Sequence, residues 1–407
     1  MPQTIKSTPI RLALAMALGL PIAAMADDGL TEAIEAGRVQ FLTCAGIEEN
    51  VARLACFDAL AAGETPKAFE RKRAVDLSST LKNVVTLNPE IVRVDDSNTI
   101  AGFADGDIIT ASTHDSEVLT RIGVSEDDLA RYTPLSLAYD LDKNSSQGLW
   151  SARPHNANYV LPLFLNTKPN RNPTSSDPSM AEETYTPNEM RVPELKFQLS
   201  LKTKAAENLF GTDADLWVGY TQQSHWQVYN EDNSRPFREH NYEPEVFLTQ
   251  PIRANLPFGG RLRMLGVGAV HHSNGQSDPL SRSWNRAYLM AGMEWNKLTV
   301  VPRVWARVLK AADSSKPDDN PNILDYYGYG DVKFLYQLEK GKNVSGLARF
   351  NPSTGKGALQ LDYVHPVGRG INGYVQLFHG YGESLIDYDH KSTTIGVGVM
   401  LNDWMGL

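Results

Sequence analysis

The stretch 262-LRMLGVGAVHHSNGQSDPLSRSWNRAYLMAGMEW-295 decides how the chain is to be read. Two runs flank a polar loop, and each alternates with the period of two that marks a β-strand. In the first run Leu265, Val267, Ala269, His271 and Ser273 share one face, while Met264, Gly266, Gly268, Val270 and His272 share the other. In the returning run Asn285, Ala287, Leu289, Ala291 and Met293 lie together, and Arg286, Tyr288, Gly292 and Glu294 fall mostly opposite. The apolar face of this hairpin therefore ends in a base, a hydroxyl and an amide: His271, Ser273 and Asn285. On spacing alone, His-x-Ser followed by Asn-Gly and Asp-Pro is an ordinary polar turn. The shared face makes the three a candidate general base, nucleophile and base-orienting residue, the logic of a serine-hydrolase triad with Asn as third member.

The N-terminus places the chain in the cell. Lys6 and Arg11 precede an apolar run from Leu12 to Ala24, and Ala24-Met25-Ala26 is a small-x-small cleavage site. Residues 1–26 are read as a secretory signal peptide, with the mature chain beginning near Asp27. No later stretch approaches the ~20 apolar residues of a transmembrane helix, which excludes a helical membrane protein. Residues 27–150 differ in character from the C-terminal part of the chain. Ala33 to Phe41 and Glu49 to Ala62 pattern as two short amphipathic helices, and Cys44 and Cys56, the only cysteines, are expected to form a disulfide between them in an exported protein. The rest, including Arg93 to Asp115, is weakly patterned. This mostly helical or irregular region is a periplasmic extension, either a small soluble domain or a partly ordered segment.

From Ala157 onward the pattern changes to strands of about ten residues. Leu195, Phe197, Leu199 and Leu201 alternate with Lys196, Gln198, Ser200 and Lys202; Ile395, Val397, Val399 and Leu401 alternate with Thr394, Gly396 and Gly398. A soluble sandwich has one apolar face per strand too. Export, uniform strand length and a second face rich in Gly, Arg, Lys and Gln favour a transmembrane antiparallel β-barrel instead. Twelve strands are expected, at 157–166, 194–204, 214–229, 242–252, 260–272, 284–295, 297–309, 326–338, 342–352, 357–367, 371–382 and 391–402. An even count closes without a free edge. Long polar loops join strands 1–2, 3–4, 5–6 and 7–8, whereas tight turns join 6–7, 8–9 and 10–11. With a periplasmic N-terminus, the long loops lie outside the cell.

In such a barrel the apolar face looks at lipid. His271, Ser273 and Asn285 then sit on the outer wall near the outer leaflet, where polar groups are costly and need a reason. Gln222 shares a face with Leu216, Val218 and Tyr220, so an amide also enters the lipid-facing band. It reads either as a tolerated polar residue or as a self-association seam, since a partner that satisfies an amide in lipid stabilises it.

The chain from about Ser151 onward closely resembles the outer membrane phospholipase A family of Gram-negative bacteria. The resemblance rests on Tyr220-Thr221-Gln222-Gln223-Ser224, Ser234-Arg235-Pro236-Phe237-Arg238-Glu239, Asn241-Tyr242-Glu243-Pro244, Ser273-Asn274-Gly275, Ser277-Asp278-Pro279, Ser281-Arg282-Ser283-Trp284-Asn285-Arg286, Asp318-Asp319-Asn320-Pro321 and Tyr381-Gly382-Glu383-Ser384-Leu385-Ile386-Asp387-Tyr388. It implies a phospholipase domain over 151–407, active as a calcium-dependent homodimer on phospholipids and lysophospholipids of the outer leaflet (phospholipase A1 and A2 activity). By motif position it implies Ser273 as nucleophile, His271 as general base, Asn285 as the residue orienting that base, and the Gly275 N–H as oxyanion donor. It assigns Ca²⁺ to Ser281, the backbone carbonyl of Gln276, Asp319, and Ser234 reaching across from the partner subunit, and puts Gln222 at the dimer interface. His272 points into the barrel and is structural. The family usually carries Arg where Gln276 stands, a change that a backbone ligand tolerates. Barrels of this kind often end on an aromatic residue, whereas this chain ends Trp404-Met405-Gly406-Leu407.

The strand count checks the ligand set independently. Ser234, Gln276, Ser281 and Asp319 fall in outward loops by parity, all on one side of the membrane. A passive porin or structural barrel shares the signal peptide and strands but gives no reason for His271, Ser273 and Asn285 on the lipid face. His114, His155, His225, His240, His365, His379 and His390 show no zinc-ligand spacing. A net charge of −9 argues against nucleic acid as a partner.

Overall fold

The computed structural model describes residues 133–142, 148–177, 179–308, 318–368, 371–403 and 405, with isolated N-terminal positions at 44–45, 53, 56–57 and 75–77. The expected signal peptide, most of the two expected N-terminal helices, Arg93–Asp115, Trp404, Gly406 and Leu407 lie outside the described residues. Cys44 and Cys56 are both disulfide-bonded and fully buried.

Twelve strands form the body of the protein: β1 (Asn158–Asn166), β2 (Pro193–Leu209), β3 (Ala214–Trp226), β4 (Phe237–Leu256), β5 (Gly260–Ser273), β6 (Ser283–Trp295), β7 (Leu298–Val308), β8 (Gly330–Gln337), β9 (Asn343–Asn351), β10 (Lys356–Gly368), β11 (Ile371–Tyr381) and β12 (Lys391–Asn402). Each pairs antiparallel with its neighbours in sequence. The ring closes where β12 meets β1, with Val397 opposite Leu163 and Ile395 opposite Leu165. Closure leaves no open edge, the condition for burying backbone polar groups in lipid.

The burial pattern is inverted relative to a water-soluble protein. Leu199, Leu201, Val218, Val267, Leu289, Val304, Leu361, Val397 and Val399 are exposed on the outer wall, Leu289 by 60% and Val304 by 58%. Residues that point inward from the barrel strands include buried Lys196, Lys204, Arg263, Thr249 and Asp331. Such a surface is stable against hydrocarbon, where an apolar exterior incurs no hydration penalty.

The interior is filled. A short helix, α1 (Pro134–Tyr139), packs against the inner wall, its Leu135 and Tyr139 in one cluster with Trp217, Phe247, Met264, Tyr288 and Met290 of β3–β6. Its polar anchors are buried as well: Glu294 accepts from the Leu135 backbone N–H (3.0 Å) and from Arg263 Nη1 (2.8 Å). Lys204 pairs with Asp140, and with Asp215 at 2.9 Å. From the opposite end the β11–β12 loop turns inward, with Ser384, Leu385, Ile386, Asp387 and Tyr388 all buried. Lys196 Nζ reaches Glu383 (2.6 Å) and Gln376 (2.8 Å), and Arg238 bridges Glu194 (2.6 Å) and Asp387 (2.9 Å). Opposed charges at these distances satisfy one another, as buried ions must.

Some element bounds differ from expectation for local reasons. β4 starts at Phe237 rather than 242, because the polar side chains of Glu239 and Asn241 are covered from inside by the β11–β12 loop. Tyr326 and Tyr327 were expected to open a strand, but they close a helical turn, α2 (Ile323–Tyr327), whose Leu324 carbonyl accepts from Asn351 Nδ2 at 2.8 Å. β8 therefore begins at Gly330. β2 runs on to Leu209, and β3 ends at Trp226, where Gln227 turns the chain.

Candidate active site

The β5–β6 pairing sets His271 directly opposite Asn285, and Ser273 opposite Ser283. Inward-facing glycines make this hairpin close-packed. A Cβ on Gly268 would lie 2.5 Å from the ring of Tyr288, whose hydroxyl donates to Glu245 at 2.8 Å. On the outer face His271 Nδ1 meets Asn285 Oδ1 at 2.7 Å. With the ring donating from Nδ1, Nε2 is left as the lone-pair nitrogen, the form a general base requires. Ser273 stands two residues further on the same strand, half-buried, at the last position of β5. Its hydroxyl makes no hydrogen bond among the described residues, a looseness common at a nucleophile before substrate arrives. His272 is buried on the other face, where Trp284 Nε1 donates to its Nδ1 at 3.4 Å.

Gly275 comes next in the turn with φ +67°, a left-handed conformation suited to glycine, and a Cβ there would meet Tyr242 Cε2 at 3.0 Å. It is exposed, whereas Asn274 is buried and ties the turn together. Asn274 Oδ1 accepts from the N–H of Arg282 (2.9 Å) and of Gln276 (3.3 Å), and its Nδ2 donates to the Leu280 carbonyl (2.8 Å).

The proposed metal ligands are only partly assembled within one subunit. Ser281 Oγ and Ser283 Oγ both donate to Asp319 Oδ2, at 3.0 and 2.9 Å. The β5–β6 loop and the β7–β8 connection thus converge on an oxygen-rich cluster of hydroxyls and a carboxylate, the donor chemistry that suits a hard divalent cation. Among the described residues no group of three or more His, Cys, Asp or Glu side chains is placed to hold a metal. Ser234 stands exposed on the β3–β4 loop in a left-handed turn, and its hydroxyl bonds to none of these residues. In the loop from the far end of the chain, burial and the neighbouring Asp389 charge raise the Tyr388 phenol above its ordinary range. It remains a neutral donor to Asn322 Oδ1 (2.8 Å), and its ring lies under the Arg282 guanidinium (5.6 Å).

Gln222 faces outward on β3. Its Oε1 accepts from Tyr220 (3.2 Å), and its Nε2 donates to Ser224 Oγ (3.4 Å), which also meets His240 Nδ1 at 2.8 Å. The registers place Gln222 opposite Tyr242, and Tyr242 opposite Ser273. One row of the outer wall therefore reads Gln222, Tyr242, Ser273, Ser283. The sequence did not single out Ser283, Tyr242 or His240. Ser283 was within reach, since alternation from Asn285 puts it on the same face; the other two needed the strand register.

A sequence model of the phospholipase A1 family matches residues 135–401. The chain belongs to the phospholipase A1 family. It is 47% identical to a putative phospholipase A1 of Neisseria meningitidis serogroup B over 372 residues, covering 90% of this chain and 92% of that protein. Its fold is similar to the outer membrane phospholipase A of Escherichia coli, solved as an active-site Asn-to-Ala mutant (34% identity, TM-score 0.58, covering 67% of this chain and 99% of that one). It is also similar to the Salmonella typhi outer membrane phospholipase, a dimer with bound calcium (35% identity, TM-score 0.56, covering 64% of this chain and 95% of that one). As a member of this family with a closed twelve-stranded barrel, the phospholipase is a protein of the Gram-negative outer membrane.

Proposed function

We propose that this phospholipase hydrolyses acyl ester bonds of phospholipids and lysophospholipids in the outer leaflet, using Ser273, His271 and Asn285 on its outer wall. The observation that carries the reading is the hydrogen bond from His271 to Asn285 on the face that meets lipid, two register positions from Ser273. His271 Nε2 takes the Ser273 proton as Oγ attacks the ester carbonyl carbon, and the Gly275 N–H receives the developing oxyanion. Collapse expels the glycerol-side oxygen, which takes the proton from His271 and leaves an acyl-serine. Water, deprotonated by the same imidazole, then releases the fatty acid. Asn285 holds the tautomer without supplying a negative charge to the imidazolium. More of the barrier reduction therefore falls to the oxyanion site than where a carboxylate is third member.

The oxygen donors at Ser281 and Asp319 fit Ca²⁺. With the backbone carbonyl of Gln276 and Ser234 of the partner subunit they would hold it in a homodimer seamed at Gln222, a reading supported by the calcium-bound Salmonella typhi dimer. When bound, Ca²⁺ supplies positive charge near the developing oxyanion. A single anionic ligand makes for weak binding, so that assembly of the second subunit governs loading. A passive porin is disfavoured by the packed interior.

The deciding experiment is phospholipid hydrolysis by detergent-solubilised protein, with calcium or with chelator, for the native chain and Ser273→Ala. Activity that requires both calcium and Ser273 is expected. Undiminished hydrolysis by Ser273→Ala would overturn the assignment.

A further inference from the structure

One carboxylate holds the Gly275 turn from beneath. Glu239, on the inner face of β4 and 1% exposed, accepts through Oε2 from Gln276 Nε2 (2.6 Å) and Asn274 Nδ2 (3.5 Å), the residues on either side of Gly275. Through Oε1 it accepts from the Ile386 backbone N–H (3.1 Å) and from Asn241 Nδ2 (2.8 Å). One oxygen is therefore fixed to the loop that fills the barrel, and the other to the turn on its rim. Gly275 has no side chain with which to orient itself, and at φ +67° its N–H direction is set by the peptide planes of its neighbours. Among residues buried on the inner wall, Glu239 alone among the described hydrogen bonds grips both of those neighbours through their side chains.

We propose that Glu239 is a positioning residue for hydrolysis. It clamps Asn274 and Gln276 so that the Gly275 N–H is aimed at the ester oxygen, and it makes the barrel-filling loop the fixed support of that aim. This rests on the assignment of Ser273 and Gly275 given above. An oxyanion donor is worth about 10²–10³ in rate, and a donor left in place but loosely aimed forfeits part of that. The loss falls on kcat, because the contact forms with the transition state rather than with bound lipid.

The test measures kcat and KM on detergent-dispersed phospholipid at saturating calcium, using the full mature chain. Four variants are compared with it: Ser273→Ala, Glu239→Gln, Gln276→Ala and the double swap Glu239→Gln with Gln276→Glu. Glu239→Gln is expected to lower kcat about tenfold or more, with KM changed by less than about twofold. The swap, which again sets an amide against a carboxylate with the roles exchanged, is expected to recover most of that loss. A merely structural carboxylate would reduce the yield of folded protein and show no such rescue. Native kcat in Glu239→Gln, or a swap no better than Glu239→Gln alone, overturns the proposal. If Glu239→Gln does not fold, single changes at the half-buried Gln276 decide. Gln276→Glu sets two carboxylates face to face and is expected to lose more kcat than Gln276→Ala, and native kcat in both overturns the clamp. Hydrolysis undiminished in Ser273→Ala would instead overturn the site assignment, so the two failures are distinguishable.

Discussion

Asn285 contributes one hydrogen bond and no charge, and that limits what its removal can do. Asn285→Ala leaves His271 in place without its Nδ1 partner. The expected cost is about 10- to 100-fold in kcat at unchanged KM, less than the ~10⁴ lost when a triad carboxylate is neutralised. Steady-state kinetics would check it, and a native kcat would show that Asn285 does not orient the base. Gly275→Ala is expected to be more damaging than its size suggests. It forces an L-residue to φ +67° and brings a Cβ to 3.0 Å from Tyr242, a strain of about 1–2 kcal/mol before any loss of aim. At this scale the sequence was informative where a single hairpin was enough: alternation along its two arms put His271, Ser273 and Asn285 on one face. It was silent on Glu239, whose role depends on a turn 35 residues away and on a loop from the far end of the chain.

The β5–β6 hairpin shows why one strand face is rich in glycine. Gly266 and Gly268 leave room for Met290 and Tyr288, and through Tyr288 for Glu245. Gly268→Ala puts a Cβ 2.5 Å from the Tyr288 ring and 2.7 Å from the Phe247 Cβ. Overpacking of this kind costs about 1–3 kcal/mol, to be read as a lowered urea midpoint with activity per folded molecule retained. The α1 helix makes a second prediction. Glu294→Ala removes the acceptor for the Leu135 N–H and one of the carboxylates around Arg263. Breaking a buried pair costs about 3–5 kcal/mol, and a loss of unfolding free energy below about 1 kcal/mol would mean that the remaining partners of Arg263, Asp142 among them, suffice to satisfy it. Strand existence and order were legible because the period of two persists along all twelve. Two features were not. The polar opening of β4 matches a loop until something covers it, and Tyr326-Tyr327 carries the residue types of a strand while the packing around Asn351 winds it into a turn.

The described residues of the barrel interior are packed, with α1 and the β11–β12 loop filling it, and bilayer recordings are expected to show no steady conductance. A stable open channel would mean that α1 or the β11–β12 loop leaves the interior. The outer wall carries a second expectation. If the row from Gln222 to Ser273 is where two copies meet, Gln222→Ala should lower the crosslinked dimer fraction in calcium, and an unchanged fraction would remove the seam from this row. Fold class and the lipid-facing face of the strands were readable at this scale because hydrocarbon imposes a simple rule on every strand. The occupant of the interior was not, since a helix of six residues in a weakly patterned region gives no hint of where it docks.

The inverted wall also bears on how such a chain reaches its destination. The mean hydropathy is −0.34, and because apolar and polar residues alternate along the strands, none offers the ~20-residue greasy run that would lodge a passing chain in the first bilayer it met. The oily surface does not exist in the linear polymer; it is created by pairing, when every second side chain is turned outward together. Affinity for lipid and completion of the ring therefore arise in one event, and a half-closed sheet would carry unpaired amides into hydrocarbon at several kcal/mol each. For this protein, entering the membrane and acquiring its shape are the same transition.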